Sequence, residues 1–337
     1  MSRITVLGSG AWGTAIALSL ANRGGHDVTL WSHRAEAADA LSSDRENRHF
    51  LPGFRFPDSL QITAEDTLAV AEAEILVCVV PSEFLRATMA RLVPHMRRGQ
   101  VLVSATKGIE DHSFLRMTEV VQSCLADAKL ALPVGTLSGP SFAQEVAAGM
   151  PTAITVAFAE AGAASTIQNA FSSPSLRLYT NDDVIGVELG GALKNVIAIA
   201  AGALAGLGLG SNSAAGLITR GIAEITRLAV AAGGRRETMA GLSGLGDLVL
   251  TCTGSLSRNR TVGFELGRGR KLPEILAGLD GKVAEGVRTT RAALGLARKL
   301  GVEMPITEQM GLILDHGKDP MEAIRDLMLR PSRDEED

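Results

Sequence analysis

The sequence predicts an α/β fold, an open and mostly parallel sheet followed by an all-helical C-terminal domain. Three observations carry this. Short β-branched runs alternate with helix-like stretches through the first half. The first such run ends in a glycine-rich turn that opens a helix. Beyond about Val184, Ala, Leu, Gly and Glu dominate and strand-like runs nearly vanish.

Taken in order, residues 4–7, 28–31, 75–80, 101–105, 134–138, 153–157 and 176–179 read as strands. Helical patterns at 14–23 and 83–93 lie between them. Strand–helix alternation implies parallel strands joined by crossovers. In the second half, 187–204, 214–232, 261–267, 272–277, 289–299, 306–316 and 321–329 read as helices. The expected division is 1–185 for a dinucleotide-binding domain, 186–330 for a helical substrate-binding domain, and 331–337 for a charged tail. Neither an internal repeat nor a low-complexity segment is found.

Composition sets limits. The chain has 337 residues, enough for two domains, with 46% hydrophobic and 21% charged residues. Aromatics are only 4%, so the core rests on aliphatic side chains, and Gly is abundant at 37 residues. The formal net charge is −4, with no block of like charges, which argues against nucleic acid as a partner. Cys78, Cys124 and Cys252 are far apart and form no CxxC pair, as expected of a reducing, cytoplasmic setting. No metal site is assigned. The apolar stretch from Val196 to Gly210 is 15 residues, short of the roughly 18–20 that span a bilayer, so a buried helix rather than membrane insertion is expected.

The glycine turn is Gly8-Ser9-Gly10-Ala11-Trp12-Gly13. In this strand–turn–helix setting Gly8 permits the tight turn, Gly10 lets a pyrophosphate approach the backbone, and Gly13 lets the helix pack on the sheet. Free N–H groups at the helix start then bind the anion. This makes the first domain Rossmann-like. NAD-binding folds usually place an acid at the end of the second strand, whereas here Leu30-Trp31-Ser32-His33-Arg34 has none. Arg34 can hold a 2′-phosphate or stack on adenine, which favours NADP and leaves NAD open. The alternative for His33 and Arg34 is a solvated loop.

Lys107 directly follows the 101–105 strand, at the edge where open α/β sheets bind ligands. Gly139-Pro140-Ser141-Phe142-Ala143 follows the 134–138 strand at the same edge. Lys194 stands in Glu188-Leu189-Gly190-Gly191-Ala192-Leu193-Lys194-Asn195, a helix otherwise almost wholly apolar. Gly190 and Gly191 weaken that helix by roughly 1 kcal/mol each relative to Ala, which makes sense if something must come close. A lysine there either snorkels to solvent or has a partner and a task, with Glu188 and Asn195 as polar neighbours. Burial and a nearby cation lower such a pKa and suit it to proton exchange near neutrality. Gly244-Leu245-Gly246-Asp247 is a second glycine cluster carrying one acid. Ser257-Arg258-Asn259 offers the donors that hold a phosphate, although a basic loop without ligand has the same composition.

Together with Ala284-Glu285-Gly286, these segments in this order resemble bacterial-type NAD(P)-dependent glycerol-3-phosphate dehydrogenase over most of the chain. The resemblance implies a cleft between the two domains, a small phosphorylated substrate, NADP or NAD as cofactor, and a homodimer. It implies that Lys194 is the general acid for ketone reduction and the base in reverse. It places Lys107, Gly139, Ser141, Lys194, Asp247, Ser257, Arg258 and Asn259 on the substrate. Gly8, Gly10, Ala11, Trp12, Gly13, His33, Arg34, Lys107, Ala143, Arg258, Val283 and Glu285 would lie along the cofactor. The family often has Ser where this chain has Ala11, so any contact there is through backbone. The implied reaction interconverts dihydroxyacetone phosphate and glycerol 3-phosphate, supplying phospholipid synthesis. Two other readings compete: a 3-hydroxy-acid dehydrogenase of similar architecture, which would bind a carboxylate instead of a phosphate, and a non-enzymatic NADP(H)-binding regulator, which would need neither Lys107 nor Lys194.

Overall fold

β-Branched and aliphatic residues at consecutive positions can be buried only if both faces of a sheet are covered, and the first strand meets that condition. The computed structural model describes residues 1–279, 284–332 and 334. In its first half, β1 (Ser2–Leu7), α1 (Ala11–Arg23), β2 (His26–Trp31), α2 (Ala35–Asp44), β3 (Glu46–Asn47), β4 (Leu51–Arg55), β5 (Gln61–Thr63), α3 (Asp66–Val70), β6 (Ile75–Cys78), α4 (Ser82–Leu92), β7 (Val101–Ser104) and α5 (Met117–Asp127) follow one another. Next come β8 (Val134–Ser138), α6 (Ala143–Ala147), β9 (Thr152–Ala157), α7 (Ala161–Phe171) and β10 (Leu176–Asn181).

Within the described residues, eight strands form one sheet in the order β10-β9-β8-β7-β6-β1-β2-β5. Val6 pairs in parallel with Leu30 on one side and Val77 on the other. Alternation along the central strands splits the core in two. Ile4, Val6, Ile75 and Val77 join Ile16 and Leu20 on one face, whereas Leu7, Leu76 and Cys78 join Leu85 and Met89 on the other. The chain leaves β1 toward β2 and returns to β6 on β1's opposite side, so a crevice opens at the carboxyl ends of β1 and β6.

The expected strands all lie in this sheet, which is mostly parallel as expected, with two features that the sequence did not indicate. β8 and β9 run antiparallel, with Leu137 opposite Val156. The linking segment, including the short α6, returns the chain at the end where β8 finished, so β9 must run back. The second is three short strands in a stretch without a strand-like run: β5 at the edge of this sheet, and β3 with β4 as a separate antiparallel pair. Pro52 and Gly53 interrupt β4, and β5 is only Gln61–Thr63.

The second half comprises α8 (Val184–Gly206), α9 (Ser211–Ala231), α10 (Arg236–Met239), a π-helical turn at Leu242–Gly246, α11 (Asp247–Thr253), α12 (Arg258–Gly267), α13 (Leu272–Ala277), α14 (Glu285–Leu300), α15 (Pro305–His316) and α16 (Pro320–Met328). Apolar on all sides apart from Glu188, Lys194 and Asn195, α8 can be stable only as a buried helix. It is long and apolar enough to cross a membrane, yet 89% of its most apolar window is buried inside the protein. Its start is fixed by Asp183, whose carboxylate accepts from Gly186 N at 2.8 Å, Arg235 N at 2.8 Å and Thr238 Oγ1 at 2.6 Å. Helices α8 and α12 touch backbone to backbone: a Cβ on Gly263 would strike the Ile199 carbonyl, and one on Gly202 the Arg260 carbonyl. The helical pattern from 261 therefore extends back to Arg258, where Ser257 caps it. Likewise the helix expected from 289 starts at Glu285.

Candidate active site

The glycine turn is built as its sequence requires. Gly8 has φ +121° and lies against the backbone after β6, where a Cβ would sit 3.0 Å from the Val79 carbonyl oxygen. A Cβ on Gly13 would collide with the Gly8 carbonyl, whereas nothing lies within 4 Å of the position a Gly10 Cβ would take. Gly10 is the N-cap of α1 and offers no side chain to it, so the helix presents its first N–H groups outward. This cradle fits a dinucleotide pyrophosphate: two glycines make the turn and the third leaves open space. Asn47 braces it, donating to Ser9 O at 2.8 Å and Thr14 Oγ1 at 2.8 Å, and Ser9 Oγ donates to Ser32 Oγ at 3.0 Å. The sequence reading missed these braces, the first of which comes from β3, 38 residues away.

Ala11 and Trp12 are half-buried at the start of α1, and Trp12 packs on the adjacent core. His33 and Arg34 are exposed just past β2. An acid does stand near this end of the sheet, although not on β2. Asp66, just after β5, accepts from Trp31 Nε1 at 3.2 Å and is held in two places by Arg91. Partial burial, followed by Arg34 and Arg91, lowers the His33 pKa.

Asp247, on the first turn of α11, is 1% exposed and holds two lysines. Its Oδ2 accepts from Lys107 Nζ at 2.9 Å, and its Oδ1 accepts from Lys194 Nζ. Lys194 also donates to Thr251 Oγ1 at 2.8 Å. Three elements therefore converge on one carboxylate: the end of β7, the middle of α8 and the start of α11. Burial is the strongest influence on Lys194. Together with the Lys107 cation it outweighs Asp247 and brings the pKa down to about 8. Burial also opposes the charge on Lys107, but there the carboxylates of Asp247 and Glu285 prevail and its pKa rises. One ammonium is thus poised to exchange its proton near neutrality while its neighbour keeps its own.

The rest of the constellation surrounds this triad. Asn195 Nδ2 donates to Glu285 Oε2 at 3.3 Å. Burial raises the Glu285 pKa against the pull of Lys107, Arg258 and Lys194. Gly139 has φ +139° and backs onto Ile154, Ser141 Oγ donates to Gly139 O at 3.0 Å, and Ala143 opens α6. Arg258 is exposed at the first position of α12. Ser257 and Asn259 are buried and already engaged. Ser257 Oγ accepts from Arg260 N at 3.2 Å, and Asn259 Oδ1 accepts from Gly286 N at 2.9 Å. That leaves the Asn259 amide NH₂ as its donor toward a ligand. Val283 lies outside the described residues.

Two neighbours differ from the sequence reading. Glu188 does not face Lys194; its carboxylate points at the start of α5. Thr251 was overlooked, though its spacing was a signal, because position i+4 from Asp247 shares its helix face. The glycines before Lys194 work as expected. A Cβ on Gly190 would lie 2.7 Å from the Ser243 carbonyl oxygen, and one on Gly191 would strike Ser138 Oγ.

Comparison with known proteins gives a consistent result. Residues 3–164 match the family model for the NAD-dependent glycerol-3-phosphate dehydrogenase N-terminus, and residues 183–325 match that for its C-terminus. The chain is 60% identical to a glycerol-3-phosphate dehydrogenase [NAD(P)+] of Acidobacterium capsulatum, over 99% of this chain and 100% of that one. It is 57% identical to the Koribacter versatilis protein of the same name, over 99% of each. A crystal structure of glycerol-3-phosphate dehydrogenase from Coxiella burnetii superposes with TM-score 0.93 at 39% identity, covering 98% of this chain and 99% of that one.

Proposed function

Since the chain belongs to the NAD-dependent glycerol-3-phosphate dehydrogenase family, and is an oxidoreductase interconverting dihydroxyacetone phosphate and sn-glycerol 3-phosphate with NAD or NADP, we propose that Lys194 is its proton donor and acceptor. The observation that carries this is one buried carboxylate, Asp247, holding Lys107 and Lys194 on its two oxygens. When bound, the reduced nicotinamide supplies the hydride that reaches the ketone carbon. Negative charge then develops on the ketone oxygen. Lys194 gives that oxygen its proton, and Lys107, which stays protonated, stabilises the charge. Asp247 and Thr251 hold the Lys194 ammonium in place. In the reverse direction neutral Lys194 takes the hydroxyl proton.

Around this centre, Gly139, Ser141 and Asp247 line the substrate. Arg258, with the Asn259 amide, receives the phosphate, and Ser257 serves by capping the helix that presents them. Gly8, Gly10 and Gly13 admit the pyrophosphate, with Ala11 and Trp12 beside it. His33 and Arg34 meet the adenosine end, and Ala143, Arg258 and Glu285 the rest of the cofactor. Residues 1–185 then form the cofactor domain and 186–330 the substrate domain. We further place the enzyme in the cytoplasm, as a homodimer supplying glycerol 3-phosphate for phospholipids. The three buried free cysteines fit a reducing compartment, and the homodimer rests on family resemblance.

The test is Lys194→Ala. Turnover should fall at least 100-fold, on the order of the contribution of a general acid, while cofactor affinity stays within a few-fold. Retention of near-full kcat would remove Lys194 from the mechanism.

A further inference from the structure

Glu188 is an expensive residue for the site it occupies. Its side chain is 4% exposed, inside a helix whose other buried residues are nearly all apolar. A carboxylate there is tolerated only with full compensation, and it receives three donors from a single turn of another element. Arg116 Nη1 donates to its Oε2 at 2.6 Å, Thr118 Oγ1 to the same oxygen at 2.6 Å, and Thr118 N to its Oε1 at 2.8 Å. Glu119 steadies the cluster, accepting from Arg116 N at 2.9 Å and pairing with the same guanidinium at 3.0 Å.

The turn that Glu188 grips closes the loop beginning at Lys107. Residues 108–116 fold back on themselves: Arg116 bridges Ile109, Glu110 N donates to Leu115 O at 2.9 Å, and Phe114 N to Glu110 O at 3.1 Å. Ile109 is buried in the helical domain's core, and Phe114 packs against it. Lys107 is two residues from Ile109, and Lys194 is six residues, about 9 Å along the axis, from Glu188. Between Glu188 and Lys194 stand Gly190 and Gly191, which soften the helix. The cluster therefore joins the two elements that carry the two lysines, at a point neither lysine touches.

We propose that Glu188, Arg116 and Thr118 form a positioning strut for catalysis, fixing the start of α8 against the Lys107 loop so that Lys107 and Lys194 reach the same carboxylate. The proposal rests on the role given to Lys194 above. Lys194 is faced by Asp247 and Cys252 from α11, Lys107 from the β7 loop and Glu285 from α14. A strut failure would let water in and let Lys107 drift. Since burial is the main influence lowering Lys194, its pKa should then move up toward the ordinary lysine value.

The experiment compares Glu188→Gln and Thr118→Val with the unmodified enzyme, measuring kcat for ketone reduction from about pH 6 to 10 and the melting temperature alongside. For Glu188→Gln we expect kcat to fall about tenfold or more. The alkaline limb of the profile should shift upward by on the order of half a unit to one unit. Thr118→Val, nearly isosteric and lacking one donor, should move both the same way by less, and carries the test alone if Glu188→Gln does not fold. A wild-type limb in the folded variants, whatever the melting temperature, would assign the cluster to folding alone and overturn the proposal. If Lys194→Ala is inactive while Glu188→Gln keeps the wild-type limb, the strut has failed and the role of Lys194 stands.

Discussion

Replacing Asp247 by Asn removes the carboxylate that both lysines contact directly while keeping the side chain's size. Two unit charges about 4 Å apart interact by about 4 kcal/mol at an effective dielectric constant of about 20. That corresponds to roughly three pKa units at full value. An asparagine oxygen still accepts one hydrogen bond, so a loss of about two to three units is expected for Lys194. Starting from about 8, this puts the variant near 5 to 6. The sign follows. Ketone reduction requires protonated Lys194, so wild-type kcat should be full well below pH 8 and decline above it. In Asp247→Asn the decline should begin two to three units lower. At about pH 7.5 most wild-type molecules carry the proton and only about one variant molecule in a hundred does, a loss of roughly fifty- to a hundredfold. The assay is the initial rate of cofactor oxidation with saturating dihydroxyacetone phosphate, from about pH 5 to 10. An alkaline limb at the wild-type position would refute the assignment of that limb to Lys194 and of its tuning to Asp247. The shift is opposite to that expected of Glu188→Gln, so the two variants separate loss of charge from loss of placement.

Two further predictions concern scaffolding. In Gly13→Ala the new methyl meets the Gly8 carbonyl, so the turn must move. Overpacking of this kind costs about 1–3 kcal/mol, and tryptophan-fluorescence titration should show NADPH binding weakened by about tenfold or more; an unchanged Kd would mean that the turn does not meet the pyrophosphate. Glu224, fully buried on α9, accepts from Ile306 N at 2.8 Å, Thr307 N at 2.9 Å and Thr307 Oγ1 at 2.6 Å. Glu224→Ala strands these donors and should cost about 2–4 kcal/mol in urea unfolding, whereas a loss under about 1 kcal/mol would show that water replaces the carboxylate.

Most of the fold and much of the site were legible in the sequence, for physical reasons that differ by residue. The strand at 134–138 is observed as Val134–Ser138, and 272–277 as a helix, because period and composition agree there. The antiparallel β9 was not legible, since direction is set by where the preceding segment returns the chain and leaves no mark on the strand's own residues. The π turn before Asp247 was hidden by its glycines. They read only as a glycine cluster, yet they let a π turn lie directly against α8 and Met239. Lys194 stood out because a charge on an apolar helix demands a reason. Asp247 carried a weaker signal, one acid in a glycine cluster, and only the fold shows that it holds two lysines. Glu188 misled because proximity in sequence is not proximity in space: six residues along a helix place two side chains on different faces.

Some glycines of the helical domain terminate helices at positive φ, as Gly301 and Gly317 do, but those around the site share one physical origin, close backbone approach. Asp247 can reach Lys194 only if the π turn lies directly on α8, and any side chain at Gly190 would meet the Ser243 carbonyl. α14 can bring Glu285 beside Asn195 only if its second residue is Gly286, where a Cβ would come within 2.6 Å of the Asn195 carbonyl oxygen. Each glycine removed from such a contact would push one wall of the site outward by about the size of a methyl group. A pKa held near 8 by burial cannot survive that, because burial requires the walls to stay close. The glycines that weaken α8 as a helix are therefore the same ones that make its lysine chemically useful. Helix stability and catalytic tuning oppose each other at these positions, and the hydrophobic wrapping of α8 by α9, α11, α12 and α14 is what allows the second to prevail.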